Sequence, residues 1–417
     1  MTLTVVAWVV TGIAIAGVIL RPFRWPEFIW ALAGALVVVG IGVVPLGAAL
    51  AAAGRGTDVY LFLVGMMLLS EVAREEGLFD YLARHAVQWS AGSRTRLFLI
   101  VYAVGTVVTV FMSNDATAVV LTPAVAAAAR AAKVPPLPYL FVCAFIANAA
   151  SFVLPISNPA NLVLYGSQMP TLLLWLARFA VPSALAIGAT FVSLRLAQAK
   201  ELKGAIEDAD PPGPLGRGGW LAAIGIVGTA IVLLVASSLG WQLGLPTFIA
   251  GIAVAVLVLI VSRQAPWPIV RHISWGVLPL VAGLFILVEG LDQTGVLAIL
   301  GSALRSGIGQ SVTGTAAAAG TIVAFGANIF NNLPVGLVAA SVSHAVDAPV
   351  RVTNALLIGV DLGPNLSVTG SLATILWLIA LRRERVAVSG LRFLGLGIVT
   401  MIPALLLALG ASLLMPA

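Results

Sequence analysis

Apolar positions along this chain do not alternate with polar ones. They gather into long apolar runs separated by short polar punctuation. A helix crosses a bilayer in about 20 apolar residues, or fewer where half-helices stack. Runs of that kind fall at 3–20, 27–46, 58–73 and 171–194, and again at 219–239, 246–262, 275–290 and 391–415. A β-barrel would instead show short segments of alternating polarity. Two stretches differ from simple spans. At 97–129 and 312–345, apolar arms meet at polar centres, Ser113-Asn114-Asp115 and Asn331-Asn332. Each predicts a re-entrant hairpin, because backbone leaves the helix at membrane depth only where it lines a polar cavity. Two further spans, 137–170 and 352–381, are broken by Leu154–Asn161, with two prolines and two asparagines, and by Asp361–Ser371, with proline, asparagine and two glycines.

The order repeats within the chain. An offset of 218 residues places Gly65 on Gly283, Glu71 on Glu289, Gly77 on Gly295 and Asn114 on Asn332. With five residues fewer in the later loop, an offset of 213 places Ala160 on Ala373. The expected fold is an all-α polytopic membrane protein of two inverted-topology repeats, with about ten transmembrane spans plus two re-entrant hairpins. A scaffold, built from spans 3–46 and 219–262, and a transport domain bearing the hairpins are the expected working parts. Residues 1–194 form the first repeat and 219–417 the second. Between them, 195–218 reads as a polar linker carrying Lys200, Glu201, Lys203, Glu207, Asp208 and Asp210, with Pro211, Pro212 and Pro214 excluding a helix.

Composition agrees, with 60% hydrophobic and 9% charged residues. The net charge of +6 would suit a nucleic-acid binder, but the basic residues sit in short loops, where they set membrane topology instead. With the N-terminus outside, 18 of the 22 Lys and Arg residues fall in cytoplasmic segments, leaving Arg55, Arg178, Arg305 and Arg351 outside. Five spans per repeat then invert the second repeat, and both termini lie outside the membrane. The first run begins without a basic leader and reads as a membrane helix, not a signal peptide. Cys143 is the only cysteine, so no thiolate cluster forms, and His85, His272 and His344 are too scattered for a metal site. No cofactor is expected. No Walker or dinucleotide sequence occurs, so the chain hydrolyses no nucleotide itself. An intramembrane enzyme would need a paired nucleophile and base or a metal triad, and neither is present.

Four breaks converge at membrane depth, and half-helix ends there would aim backbone dipoles at a bound solute. The side chains available are Ser113, Asn114, Asn158, Asn161, Asn332, Asn365, Thr369 and Ser371, all neutral donors and acceptors. Individually each could serve as interhelical glue; as a duplicated set they point to a solute site. The absence of Arg or Lys from the tips argues against a tightly held di- or tricarboxylate. Asp115 and Asp361 are the carboxylates at the breaks. An ionised carboxylate costs about 3 kcal/mol or more at membrane depth, so both are candidates to carry a coupling proton, the alternative being a helix-capping role. Glu71 and Glu289 sit near span ends and read as scaffold contacts.

Four motifs carry a resemblance. Ser113 to Pro123, Pro155 to Asn161, Asn331 to Gly336 and Asp361 to Thr374 resemble, in order, those of the arsenite/antimonite efflux pumps of the ArsB type. That family belongs to the ion transporter superfamily. The resemblance implies export of trivalent arsenic and antimony in exchange for protons, with a cytosolic arsenite-stimulated ATPase as a partner in some members. It also implies inverted repeats and elevator-type alternating access. The tips here differ from the Ser-Asn-Thr tips of sodium–carboxylate relatives. A neutral arsenic trihydroxide suits a cage of Asn, Ser and Thr, whereas several thiolates would hold arsenic too tightly to release it. The competing expectation is a sodium- or proton-coupled transporter of a small organic anion on the same fold.

Overall fold

The computed structural model describes residues 3–206 and 213–415. Within the linker, Glu207, Asp208, Asp210, Pro211 and Pro212 lie outside the described residues. The described chain is helical, with one isolated bridge between Ser93 and Ala205. Eight of its helices are long and apolar enough to cross a membrane, or nine if the bent pair Leu46–Arg55 and Thr57–Glu75 counts as one span. Two of the eight, Arg94–Phe111 and Val312–Phe330, are the outer arms of the expected hairpins. The expected tally of spans is reached only by adding Glu27–Gly40, which is shorter, and the two interrupted spans.

The element order of the first half recurs in the second, and so do its local devices. Leu46–Arg55 corresponds to Trp267–His272, and Leu78–Trp89 to Val296–Gln310. The apolar runs leave these four segments almost wholly outside the expected spans, because each is short or mixed in polarity. Gly77 and Gly295 precede the latter pair with φ of 72° and 81°, a left-handed turn that favours glycine. Ser93 and Ser311 cap the outer hairpin arms, each accepting from the amide three residues on. The outer arms are matched in length, 18 residues for Arg94–Phe111 and 19 for Val312–Phe330, and the hairpins end at Ala131 and Ala345.

One group of helices packs through small residues. Thr57–Glu75 crosses Gly244–Ser262, and Val277–Gln293 crosses Glu27–Gly40. A Cβ on Gly65 would lie 2.3 Å from the Thr247 carbonyl oxygen, so these two backbones touch. Close approach of this kind is how helices associate where apolar side chains gain nothing by leaving lipid. The second group centres on Leu137–Ala149, which is buried almost throughout, and includes both hairpins, both broken spans and the crossing pair Leu172–Ala197 and Gly390–Leu414. Trp377 donates to the Leu140 carbonyl at 2.8 Å, and its ring joins Phe141 and Phe393 in one aromatic cluster. The described start of the linker is tied to the second group: Arg94 donates to the carbonyls of Lys203 and Ala205, and Arg392 pairs with Glu201 at 2.8 Å.

Candidate functional site

Each hairpin tip is built by a polar residue that ends one arm and caps the next. At the first tip, Ser113 is extended and its Oγ accepts from the Ala116 amide at 3.2 Å. Below it, Thr109 and Thr117 meet at 2.8 Å between hydroxyls, pinning the two arms together. The returning arm then widens into a π-helical turn, Thr117–Leu121, a form that is rare and frequent at functional sites. At the second tip, Asn331 takes φ 70° and caps with its own oxygen, accepting from the Leu333 amide, while its Nδ2 donates to the Thr369 carbonyl at 3.2 Å. The Asn332 amide donates to the Gly370 carbonyl at 2.8 Å. The second tip is therefore fastened to the second broken span.

The broken spans cross each other between the tips. Asn158 caps Pro159–Tyr165 through its Oδ1 and donates from Nδ2 to Oδ1 of Asp361 at 2.7 Å. Asp361 lies in the last turn of Val350–Leu362, buried, with its Oδ2 unpartnered. It ends a half-helix and does not cap the start of one. Asn148, which the 213-residue offset places on Asp361, donates to Asn365 Oδ1 at 3.0 Å and to Thr374 Oγ1 at 3.3 Å.

The ten sequence-derived candidates separate into three groups. Asn114, Asp115, Asn158 and Asn332 line one small central cavity of ≈ 10 Å³, about the room one water needs. Asp115 also lines an adjoining cavity of ≈ 60 Å³ together with Ser113, Ser70, Glu71 and His272. The remaining candidates hold the frame. Asn161 donates to the carbonyls of Ser151, Leu154 and Pro155, closing the first break. Asn365 donates to the Phe145 carbonyl, Ser371 caps Leu372–Arg383, and Thr369 donates to the Asn328 carbonyl. Asp361 stands between the groups, reaching the cavity only through Asn158. Sequence reasoning passed over Asn148, Asn328 and Asn331 as site builders. Asn328 donates to the Gly363 carbonyl and accepts from Ser367, clasping the second hairpin to the second break. A polar residue inside an apolar run was the available signal at Asn148 and Asn328.

Two features of the central cavity decide its chemistry. Asn114 and Asn332 are repeat partners, both buried, and each keeps an Oδ1 with no hydrogen-bond partner. Leaving a buried acceptor unsatisfied costs about 1–3 kcal/mol, so each oxygen can accept from a solute or a water that enters the cavity. The Oδ1 atoms of Asn148 and Asn161 are unpartnered too, but they line neither cavity. The second feature is asymmetry. The polar groups all come from the hairpins and the first break, while the facing wall is Leu63 of Thr57–Glu75 with Val277 and Val281 of Val277–Gln293. Among the described residues, no Lys or Arg lines the central cavity.

Charged groups gather further out. Arg74 donates to Glu71 at 2.6 Å and also to Glu75, and Arg55 donates to Glu289 at 2.5 Å. Glu71, Glu75 and His272 lie close enough to share a cation, but Arg74 already serves both carboxylates and His272 Nδ1 bonds the Pro268 carbonyl at 2.8 Å. That donor set is an ion-pair cluster. Glu289 faces a larger cavity of ≈ 480 Å³ with Arg55, Asp58, Asp292 and His344, which contains no tip residue.

Paired hairpins, crossed broken spans and a buried polar cavity with one apolar wall define a polytopic membrane transporter. Residues 6–362 match the family model described as citrate transporter, and the chain belongs to that family. Curated relatives include the arsenical pump membrane protein of Escherichia coli strain K12, 28% identical over 376 residues and 84% of each chain. That of Yersinia enterocolitica is 27% identical over 375 residues, with the same coverage. The putative arsenical pump membrane protein of Bacillus subtilis is 24% identical over 398 residues, covering 88% of this chain and 90% of that one. The resemblance read from the four motifs thus extends along the chain. Among solved structures, the YdaH transporter of Alcanivorax borkumensis matches 93% of this chain and 96% of its own with a TM-score of 0.59 at 15% identity, a likeness of fold.

Proposed function

We propose that the chain exports trivalent arsenic and antimony, as neutral trihydroxides, from the cytoplasm in exchange for protons. The observation that carries this reading is the pair of unpartnered oxygens on Asn114 and Asn332, facing one cavity free of Lys and Arg. A pyramidal trihydroxide offers three hydroxyl donors and no charge, so two carboxamide acceptors and Asp115 suit it, whereas a tricarboxylate would add acceptors to acceptors. The names of the bacterial arsenical pump relatives support the same solute.

An uncharged solute brings no charge to couple, so a protein group must change protonation between the two access states. Asp115 is our first candidate, because it lines both the central and the adjoining cavity. Asp361 is second, acting through Asn158. The one-sided polarity of the cavity favours elevator-type access: a solute held by the hairpin group slides past an apolar wall that offers nothing to hold it. The scaffold in this reading extends beyond the spans read from the sequence to include Thr57–Glu75 and Val277–Gln293, which supply that wall. We take the inversion of the second repeat and the outward termini from the loop charges and the odd number of spans per repeat, and the bacterial inner membrane from the arsenical pump relatives. A cytosolic arsenite-stimulated ATPase remains a compatible partner.

The test is arsenite uptake by everted membrane vesicles with and without an acid-inside pH gradient. Accumulation that needs the gradient supports the reading; equal uptake without it removes proton coupling. The family description favours one second reading, transport of citrate or a similar organic anion. Labelled citrate in the same vesicles separates the two, and citrate uptake without arsenite uptake would replace our assignment.

A further inference from the structure

The two hairpins are not packed alike, and the difference leaves a groove. Beside the second hairpin, between Val296–Gln310, Val312–Phe330 and Asn332–Ala345, lies an apolar cavity of ≈ 770 Å³ that reaches Ile15 of the first helix. Leu300, Leu304, Ile322, Phe330 and Val335 form its walls. Gln310, Ser311 and Thr315 stand together where the helix Val296–Gln310 ends and the outer arm begins. The groove is thus apolar along the hairpin and polar at one end.

The repeat shows how the groove arises. Where the first half has Trp89, Ile100, Val101 and Val108, the second has Gly307, Ala318, Ala319 and Gly326, at the 218-residue offset. All four smaller residues line the groove. A Cβ built on Gly326 meets no atom within 4 Å, so the space there is open and not merely a helix crossing. Val312–Phe330 is also the least covered of the candidate spans, with 22% of its window buried against 44% for Arg94–Phe111.

We propose that this groove is a lipid site, holding one phospholipid acyl chain with its ester and headgroup end at Gln310, Ser311 and Thr315. The chemistry of the lining selects the occupant. An apolar slot of ≈ 770 Å³ beside a membrane-spanning arm is in contact with acyl chains, and one chain lodged in it gains dispersion contacts with walls that are otherwise unfilled. The polar end gives hydroxyl and carboxamide donors for ester or phosphate oxygens. Because the groove joins Ile15 to the second hairpin, the bound chain fills the seam between the first helix and that hairpin.

Native mass spectrometry of the full chain tests this. The probe is palmitoyl-oleoyl phosphatidylglycerol, added after delipidation in detergent. One phospholipid should survive on the unaltered protein. It should fall roughly tenfold in occupancy, equivalent to about 1.4 kcal/mol, in A318I/G326L, which restores bulk where the first hairpin has it. G228L, which adds a side chain at an exposed position on Arg217–Ser238 with nothing within 4 Å, should keep it. Thermal unfolding in detergent establishes that each variant is folded. Equal retention by all three proteins, or none by any, overturns the proposal, as does loss of a dimer peak in place of the lipid adduct, which would make a second copy of the chain the occupant.

Discussion

Asn158 Nδ2 and Asp361 Oδ1 are 2.7 Å apart, although 203 residues separate them in the chain. The bond joins the cap of one broken span to the final turn of the other. It couples the one polar residue of the first break that lines the cavity to a buried carboxyl that does not. Removing the donor should therefore cost more than removing the charge. Asn158→Ala is expected to destabilise the protein by about 3 kcal/mol if it strands an ionised Asp361. Asp361→Asn should cost less, and the double variant Asn158→Ala/Asp361→Asn should recover stability relative to Asn158→Ala alone. Thermal unfolding in detergent measures all three; a double variant no better than the single would mean the carboxyl needs no partner.

The paired oxygens make a sharper contrast. Asn114→Ala and Asn332→Ala remove acceptors that bond nothing in the protein, so each should leave the unfolding temperature nearly unchanged. Each should weaken arsenite affinity about fivefold, the equivalent of one ordinary hydrogen bond of about 1 kcal/mol. Asn161→Ala removes a donor shared by three carbonyls and should do the opposite, lowering stability by about 1–3 kcal/mol. Unfolding curves alongside the concentration dependence of vesicle uptake would check the pair; unchanged apparent affinity in both tip variants would take the solute elsewhere.

Asp115 separates coupling from binding. Asp115→Asn keeps a polar group of the same shape in both cavities but removes the titrating one. The variant should still exchange labelled arsenite across vesicles at equal concentrations, yet should no longer accumulate it when an acid-inside gradient is imposed. Wild-type accumulation by Asp115→Asn and by Asp361→Asn would direct attention to Glu71 and Glu289.

Relative movement of the two helix groups can be arrested without touching the solute site. Val288 of Val277–Gln293 and Leu337 of the second hairpin line the same outer cavity, which contains no tip residue. With Cys143→Ala removing the native thiol, a short membrane-permeant cross-linker between V288C and L337C should stop net flux while equilibrium binding of arsenite to the cross-linked protein persists. Full flux after quantitative cross-linking would exclude the elevator.

Helix crossing is open to a structural check. Gly65→Leu would drive a side chain into the Thr247 carbonyl and should abolish accumulation of folded protein, since backbone cannot move aside there. Gly228→Leu, facing open space, should express normally. Fluorescence-detected size exclusion distinguishes these outcomes.

The sequence by itself determined the class and the places where the apolar runs break, at the two hairpins and the two broken spans. Long apolar runs must be helices in lipid, since backbone there has no other partner, and polar tips inside such runs must face a cavity. Ser93 and Ser311, like Gly77 and Gly295, act within their own turn of chain, and their capping roles are seen in the structure. What the sequence left open was which polar residue faces the cavity and which holds the frame. Asn114 and Asn161 are the same residue type, one at a hairpin tip and one at a broken span. One keeps its oxygen for the cavity, and the other spends its amide on three carbonyls. Asp361 reaches the site only through Asn158, and the apolar wall of Leu63, Val277 and Val281 faces tips distant in sequence. Only the tertiary structure decided those roles, because a hydrogen bond needs its partner within about 3 Å, and what comes within that reach is set by how the breaks fold back: Asn161 meets its own loop, while Asp361 meets Asn158 from the opposite half of the chain.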